Sequence, residues 1–159
     1  MSQAYIALGT NLGNRTENLN RAAFAVAALP LTKVTAVSRI YETEPMDCPP
    51  CDNFYNAVIR VETELSPKAI LGACLGIEAG MGRIRTKKNG PRVIDLDLLL
   101  YEGYEEATPE LTVPHPRMGD RAFVLMPLSD LMKTPPLKKR LKELGDNGVK
   151  LTTEQLICP

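Results

Sequence analysis

The chain has 159 residues, 44% of them hydrophobic and 24% charged, which is the composition of an ordinary soluble globular domain. Lysine plus arginine and aspartate plus glutamate both total 19, so the net charge near zero excludes an overall field that attracts nucleic acid or an acidic membrane surface. No basic segment precedes the apolar run at 4–8, and no apolar stretch is long enough to cross a bilayer. We therefore expect one domain, 1–159, that works in the cytoplasm.

The first half of the chain predicts a strand, a helix and two further strands. Residues 4–9 form the first predicted strand, and the polar turn after Gly9 lacks the lysine of a Walker loop. Thr16 is the predicted N-cap of a helix that runs to about residue 29. Segments 34–41 and 54–64 predict two strands, and the long loop between them favours antiparallel pairing. The helix carries one apolar stripe, made by Leu19, Ala22, Ala23, Val26 and Leu29.

The second half adds a helix, a strand and a C-terminal α/β extension. Ser66 as N-cap and Pro67 at the first position begin a helix that reaches about residue 81, and the apolar segment 92–101 predicts a buried strand. The order strand, helix, strand, strand, helix, strand is typical of a ferredoxin-like α+β domain with a β-α-β-β-α-β core. The extension contains a short strand at 111–115, a short helix near 119–132 and a charged helix at 137–144.

Two carboxylates lie inside the predicted strand 92–101. Asp95 and Asp97 are two residues apart and project from one face, while the neighbouring apolar side chains face the other way. A buried carboxylate is costly unless it is paired or binds a cation. The pair is therefore either an Mg²⁺ site that seats a polyphosphate or an edge pair satisfied by nearby arginines.

The segment 82–92 places five cations among eleven residues just before this strand. By itself it is a solvated loop, a nucleic-acid contact or a polyphosphate site. Aromatic residues make up only 5% of the chain, and none lies between these cations, which weakens a stacking platform for nucleic acid. Arginine forks match phosphate oxygens, and together with the two aspartates they favour the polyphosphate site.

The cysteines and the single histidine carry weaker signals. Cys48 and Cys51 form a CxxC, but a zinc site needs a second ligand pair and His115 is the only histidine. We expect incidental loop cysteines, able to form a disulfide on oxidation, rather than a metal or redox site. His115 lies between two prolines and close to Arg117 and Arg121, so it is either structural or in contact with an anionic ligand.

Several segments in one register resemble a known family. They are AYIALGTNLG at 4–13, the segment 38–45 with Tyr41, Thr43 and Pro45, FYNA at 54–57, GPRVIDLD at 90–97, LTVPHPRM at 111–118 and RAFVL at 121–125. Together they resemble the 6-hydroxymethyl-7,8-dihydropterin pyrophosphokinases of folate biosynthesis. The similarity covers about residues 4–130, and the tail at 131–159 carries little of it.

The resemblance implies a ferredoxin-like core and a reaction in which the pterin hydroxymethyl oxygen attacks the β-phosphorus of ATP, so that AMP leaves. It implies two Mg²⁺ ions held by Asp95 and Asp97, with Arg83 and Arg92 acting on the phosphates beside them. It places an ATP-binding group at Glu78, Arg85, Arg92, Thr112, His115 and Arg121. It places the pterin pocket at Gly9, Thr43, Pro45, Phe54, Asn56 and Phe123.

The chain departs from the family pattern in three places. Asn89 stands where the family often has a tryptophan, Glu44 replaces a frequent proline, and the family does not require Cys48 or Cys51. Two rivals remain: another ATP-dependent transferase that uses the same metal pair, and a ferredoxin-like binding module that contacts RNA or nucleotide with the basic loop. On the pyrophosphokinase hypothesis we expect a monomer with small-molecule substrates and neither nucleic acid nor membrane as a partner.

Overall fold

Five strands and two helices form the part of the molecule that matches the predicted core. The structure is a computed structural model that describes residues 1–45, 51–83 and 91–159. The strands are β1 (Ser2–Thr10), β2 (Thr32–Val37), β3 (Tyr41–Thr43), β4 (Phe54–Thr63) and β5 (Asp95–Tyr101), and the helices are α1 (Arg15–Ala27) and α2 (Pro67–Gly80). The remainder contains β6 (Glu106–Ala107), β7 (Thr112–Val113), a 3₁₀ turn (Met118–Asp120), α3 (Ala122–Leu131), α4 (Pro135–Leu144) and β8 (Lys150–Leu151).

The main sheet has the strand order β5-β1-β4-β3-β8, and β2 also pairs with β4. All of these pairs are antiparallel. Because β2 pairs with the C-terminal half of β4 and β3 with its N-terminal end, the two short strands together occupy one edge of the core. This confirms the ferredoxin-like α+β fold that the element order predicts.

Ser38 explains why the single strand predicted at 34–41 is two strands. Its backbone N–H donates to the Val58 carbonyl at 2.9 Å, while the Val58 N–H donates to the Ser38 hydroxyl at 2.8 Å. A side chain thus replaces a backbone acceptor, and the ladder is interrupted there. Residues 38–40 leave the regular pairing, and β3 resumes it at Tyr41.

Both faces of the sheet are covered, and each has its own core. On one face, α1 and α2 pack over Ile6, Ile59 and Leu96. The predicted stripe of α1 is confirmed, since four of its members are fully buried and the fifth packs against the same cluster. On the other face, α3 and α4 cover only part of the sheet, around Val58 and Leu99.

The observed N-cap is the predicted residue at α2 and a different residue at α1. Ser66 caps α2 by accepting a hydrogen bond from the Ala69 N–H at 3.2 Å, with Pro67 in the first turn, as predicted. The predicted N-cap Thr16 is wrong. Asn14 caps α1 through a 3.0 Å bond from the Glu17 N–H. The reason is that Asn14 has the extended backbone of a cap, whereas Thr16 already lies inside the helix.

The C-terminal segment adds a strand that the sequence analysis did not predict. β8 pairs with the outer edge of β3, and the Thr152 N–H donates to the Ile40 carbonyl at 3.0 Å. Leu156 enters the core under α1, and the Ile157 N–H donates to the Asn20 side chain at 2.7 Å. The tail therefore protects an edge that would otherwise be open. Among the described residues, no helix is long and apolar enough to cross a membrane.

Candidate active site

Strand register gathers predicted site residues on the sheet face that α3 covers only in part. Gly9 of β1 lies opposite Asn56 of β4 on one side and Asp95 of β5 on the other. Thr43 of β3 lies opposite Phe54 of β4. Because side chains two apart share a face, this single face carries Gly9, Thr43, Phe54, Asn56, Asp95 and Asp97.

A side chain at Gly9 would fill the space between its neighbours. A Cβ at this position would stand 3.4 Å from Asn56 Oδ1, 3.9 Å from Asp95 Cβ and 4.0 Å from Phe54 Cδ1. Across the same face, the Asn56 amide donates to the Thr43 hydroxyl at 3.0 Å. The missing side chain leaves a shallow depression between an amide, an aromatic ring and a carboxylate, which suits a flat polar heterocycle.

Helix α3 brings a second aromatic ring to this face. Phe123 lies in its first turn and packs against the clusters that include Tyr41 and Leu125. The guanidinium of Arg121 lies 5.6 Å from the centre of the Phe123 ring. The structure thus places an apolar ring beside a cation at the border between the two predicted substrate regions.

Asp95 is the centre of a network of ion pairs. Arg83 and Arg92 both pair with its carboxylate, Arg92 at 2.8 Å. Arg83 also pairs with Glu78 at 2.8 Å, and Glu78 accepts the Leu96 N–H at 2.8 Å. Glu78 is only 3% exposed, so in this structure it anchors β5 and orients Arg83; contact with ATP stays a prediction.

Asp97 has a different environment from Asp95. Within the described ranges, the ion pairs of this network go to Asp95 and Glu78, and none goes to Asp97. Asp97 is exposed to solvent, but the surrounding protein displaces part of the water around its carboxylate. This desolvation, followed by the charge of Asp95, raises the pKa of Asp97. The predicted alternative was an edge pair of aspartates satisfied by arginines. Only Asp95 matches it.

His115 and Arg121 approach Asp97 from the C-terminal extension. Both lie close enough to oppose the rise in the pKa of Asp97. His115 is half-buried, and this burial, with Arg121 and Arg117, outweighs Asp97 and lowers the pKa of His115. Its backbone N–H donates to the Leu99 carbonyl at 2.9 Å, which ties it to β5. The neutral imidazole is therefore favoured before an anionic ligand arrives.

Asn11 belongs to the site although it was not among the predicted residues. Its Oδ1 accepts the Arg92 N–H at 2.7 Å, and its own N–H donates to the Arg92 carbonyl at 3.0 Å. The next residue back, Thr10, donates to the Val93 carbonyl at 2.6 Å. Asn11 Nδ2 is buried and has no hydrogen-bond partner among the described residues. Asn11 directly follows Gly9 and Thr10 in the segment 4–13 that resembles the family. This position is the sequence signal that could have identified Asn11 as a site residue.

Some predicted residues are not joined to this cluster. Thr112 lies on β7, and its hydroxyl donates to the Thr108 carbonyl at 3.2 Å. Pro45 follows β3 at the edge of the described part. Arg85, Cys48 and Asn89 lie outside the described residues, and Cys51 is disulfide-bonded.

The donor set fits Mg²⁺ that is shared with a substrate. Asp95 and Asp97 supply two hard oxygen ligands on one face. Among the described residues there is no group of three or more His, Cys, Asp or Glu side chains that could hold a metal. Mg²⁺ is usually bound by one or two carboxylates plus substrate phosphates and water rather than by an all-protein cage. An open sheet face with two carboxylates meets that requirement.

A separate cleft of about 550 Å³ lies at the turn after β5. Its lining is Leu100, Tyr101, Gly103, Tyr104, Glu105 and Pro114. None of these is a predicted site residue. The candidate site is thus the open sheet face and not this cleft.

Comparison with known proteins identifies the family of the chain. The family model described as 7,8-dihydro-6-hydroxymethylpterin-pyrophosphokinase matches residues 5–133. The chain belongs to this family. The matched range includes every predicted site residue, and it ends just after α3.

Relatives of this pyrophosphokinase family member are found in bacteria and in a fungus. A 2-amino-4-hydroxy-6-hydroxymethyldihydropteridine pyrophosphokinase of Methylorubrum extorquens is 43% identical over 131 residues, which are 82% of this chain and 83% of the relative. One of Bacillus subtilis is 38% identical, over 93% of this chain and 89% of the relative. The folic acid synthesis protein fol1 of Schizosaccharomyces pombe is 39% identical over 93% of this chain, which spans only 21% of fol1.

Solved structures support the fold. A structure described as HPPK-DHPS in complex with substrates superposes with a TM-score of 0.69 at 14% identity, over 90% of this chain and 45% of that one. A Plasmodium falciparum HPPK-DHPS with pteroate superposes with a TM-score of 0.63 at 17% identity, over 81% of this chain and 38% of that one. The chain thus spans less than half of these larger proteins.

Proposed function

We propose that the chain transfers pyrophosphate from ATP to the hydroxymethyl group of 6-hydroxymethyl-7,8-dihydropterin, with release of AMP, in folate biosynthesis. Membership of the pyrophosphokinase family supports an enzyme of this class. One observation carries the proposal to particular residues. A single sheet face joins the depression at Gly9 to the carboxylates Asp95 and Asp97, so both substrates have a place within reach of each other.

The pterin is expected on the part of the face around Gly9. Phe54 and Phe123 offer apolar ring faces, while Asn56 and Thr43 offer hydrogen-bonding groups. A pterin is flat and rich in donors and acceptors, so it needs this combination of stacking and directed polar contacts. Pro45 follows the same strand edge and is expected to line the pocket as well.

The triphosphate is expected beside β5. Arg83 and Arg92 already stand at Asp95, and their planar guanidinium groups suit phosphate oxygens. Arg121 and His115 lie close to Asp97. Cations around the transferred group stabilise the charge that develops in the transition state. Glu78, Arg85 and Thr112 complete the expected ATP-binding group.

Asp95 and Asp97 would hold Mg²⁺, and we expect two ions. When bound there, Mg²⁺ supplies charge neutralisation and alignment of the phosphates. The residues themselves prepare the site in another way. Because Arg83 and Arg92 pair with Asp95 beforehand, they are held near the place where phosphate charge arrives and do not have to be recruited from solvent.

The test is AMP release in the presence of ATP, Mg²⁺ and 6-hydroxymethyl-7,8-dihydropterin, with each omitted in turn. We expect AMP only when all three are present. AMP release without pterin would identify another ATP-dependent activity. RNA binding that weakens steeply with salt, without AMP formation, would identify the binding module instead. We expect a monomer in the cytoplasm, which size-exclusion chromatography and cell fractionation can check.

A further inference from the structure

Helix α3 carries Phe123 but is poorly equipped to hold its own position. It has ten residues, which is short for a stable isolated helix. Pro127 lies inside it and has no N–H, so it cannot donate to the carbonyl of Phe123, four residues earlier. The orientation of the Phe123 turn therefore depends on contacts outside the helix.

Beside the apolar packing of Val124, Leu125 and Leu128 in the cluster with Val58 and Leu99, a polar contact joins the last turn of α3 to the edge of the sheet. Asp130 Oδ2 accepts the Arg39 N–H at 3.1 Å and Arg39 Nε at 3.2 Å, while Oδ1 accepts Nη2 at 2.8 Å. The Tyr41 hydroxyl donates to both carboxylate oxygens, at 3.1 and 3.0 Å. We call Arg39, Tyr41 and Asp130 the Asp130 clamp.

Tyr41 is the member of the clamp that reaches the pterin side. It is 6% exposed and packs in one cluster with Ala122, against which Phe123 also packs. Ala122, Met126 and Asp130 are spaced by four, so they share one face of α3. Tyr41 belongs to the same cluster as Ala122 and binds Asp130 through its hydroxyl. Tyr41 also lies opposite Asn56 and two residues before Thr43.

The clamp is well satisfied although it is partly buried. The Asp130 side chain is 12% exposed and that of Arg39 is 62% exposed. Burial works to raise the pKa of Asp130, but the hydrogen bonds from Arg39 and Tyr41 outweigh it and hold this pKa below its ordinary value. Because Arg39 is open to water, the Tyr41 hydroxyl is the more shielded partner.

We propose that the Asp130 clamp is a positioning device for the pterin pocket, acting through Tyr41 to hold Phe123 of α3 opposite Asn56 and Thr43. This rests on the proposed function of that face. The clamp touches no substrate; it sets the distance between the ring on the helix and the polar groups on the sheet. Its loss should weaken pterin binding and leave ATP binding nearly unchanged.

ATP binding is expected to be spared because Arg121 has separate anchors. The Arg121 N–H donates to the Met118 carbonyl at 3.3 Å, within the 3₁₀ turn that precedes α3. Arg140 of α4 holds that turn through Gly119, whose carbonyl accepts its Nε at 2.7 Å, and through Asp120 at 3.0 Å. The Arg121 carbonyl also accepts the Val124 and Leu125 N–H groups of α3 at 3.0 Å, but its attachment to this turn should limit its movement when α3 shifts at Asp130.

The experiment uses Tyr41→Phe, which removes the hydroxyl and keeps the ring. The KM for the pterin should rise about threefold to tenfold, the net effect of one ordinary hydrogen bond, while the KM for ATP and kcat change less than about twofold. Asp130→Asn should act in the same direction. Glu64→Gln, which removes an exposed carboxylate at the opposite end of β4 from Phe54, is the control and should change neither constant.

A double-mutant cycle separates positioning from general stability. In a Phe123→Ala background, Tyr41→Phe should no longer raise the pterin KM, because the ring through which the clamp acts is gone. Equal pterin KM in Tyr41→Phe and the parent, or the same increase with and without Phe123, would overturn the inference. If the parent itself forms no AMP with the pterin, the proposed function fails instead, so the two failures are distinguishable.

Discussion

The two aspartates of β5 should respond to the same substitution with opposite changes in stability. Asp95 is paired with Arg83 and Arg92, whereas Asp97 has a raised pKa because of desolvation and the charge of Asp95. Removing the charge at Asp97 takes away a repulsion. Removing it at Asp95 takes away two attractions. We therefore expect Asp97→Asn to stabilise the metal-free protein and Asp95→Asn to destabilise it.

The size of each effect follows from the strand. Positions two apart are separated by about 6.6 Å, so the repulsion is about 0.6 kcal/mol at the dielectric constant of water and about 2.5 kcal/mol at an effective value of about 20. Asp97 is exposed and Asp95 is neutralised, so the lower end applies, and Asp97→Asn should raise the Tm by about 1–2 °C. Loss of the charged hydrogen bonds at Asp95 should lower the free energy of unfolding by about 1–3 kcal/mol. This corresponds to a fall in Tm of about 2–12 °C.

The assay pairs melting with turnover. Melting is recorded in a chelator, and AMP formation is followed across a Mg²⁺ titration. Asp97→Asn should lower turnover by about two to three orders of magnitude, since metal-assisted charge stabilisation is worth several kcal/mol. Asp146→Asn, the same chemical change at an exposed carboxylate after α4, is the control for both measurements. An Asp97→Asn protein that melts early and keeps its turnover at ordinary Mg²⁺ would show that the pair is structural and refute the reasoning.

Three further predictions concern other parts of the molecule. Arg92→Ala should lower kcat more than pterin affinity, because its guanidinium stands at the phosphate side; an equal loss of pterin binding without nucleotide, measured by calorimetry, would contradict it. The double variant Cys48→Ser, Cys51→Ser should keep near-normal activity under reducing conditions. If the parent contains stoichiometric zinc by metal analysis and the variant loses both this zinc and its activity, the two cysteines form a metal site. Asn14→Ala should lower the free energy of unfolding by about 1 kcal/mol in urea, whereas Thr16→Ala should not; the reverse result would restore Thr16 as the cap.

Features that depend on near neighbours in the chain were predictable. Adjacent residues of a strand face opposite sides, and Ile59 and Val58 of β4 accordingly belong to different cores. The cap at Ser66 was predictable because it needs only a side-chain oxygen three residues before an N–H. The same locality allowed the error at Thr16, since Asn14 is an equally good cap and only the path of the chain chooses between them.

The residues of the site were predictable as a set, but their pairings were not. The two-residue spacing of Asp95 and Asp97 puts both on one face in any strand. This spacing does not predict that Arg83 and Arg92 both pair with Asp95. It also does not predict that Glu78 is buried. Those choices depend on how α2 packs against β5, which is a contact between distant segments.

Apart from the break at Ser38, the sequence by itself determined the order of the core elements, the two faces of the long strands and the family, because these depend on local periodicity and on motifs that are contiguous in the chain. Tertiary structure alone decided the neighbours of Gly9, since the placement of β1 between β4 and β5 sets the register. It alone revealed the bond between Tyr41 and Asp130, whose positions differ by 89. The physical reason is that strand register and helix docking are set by burial of the whole core, and no single segment carries that information.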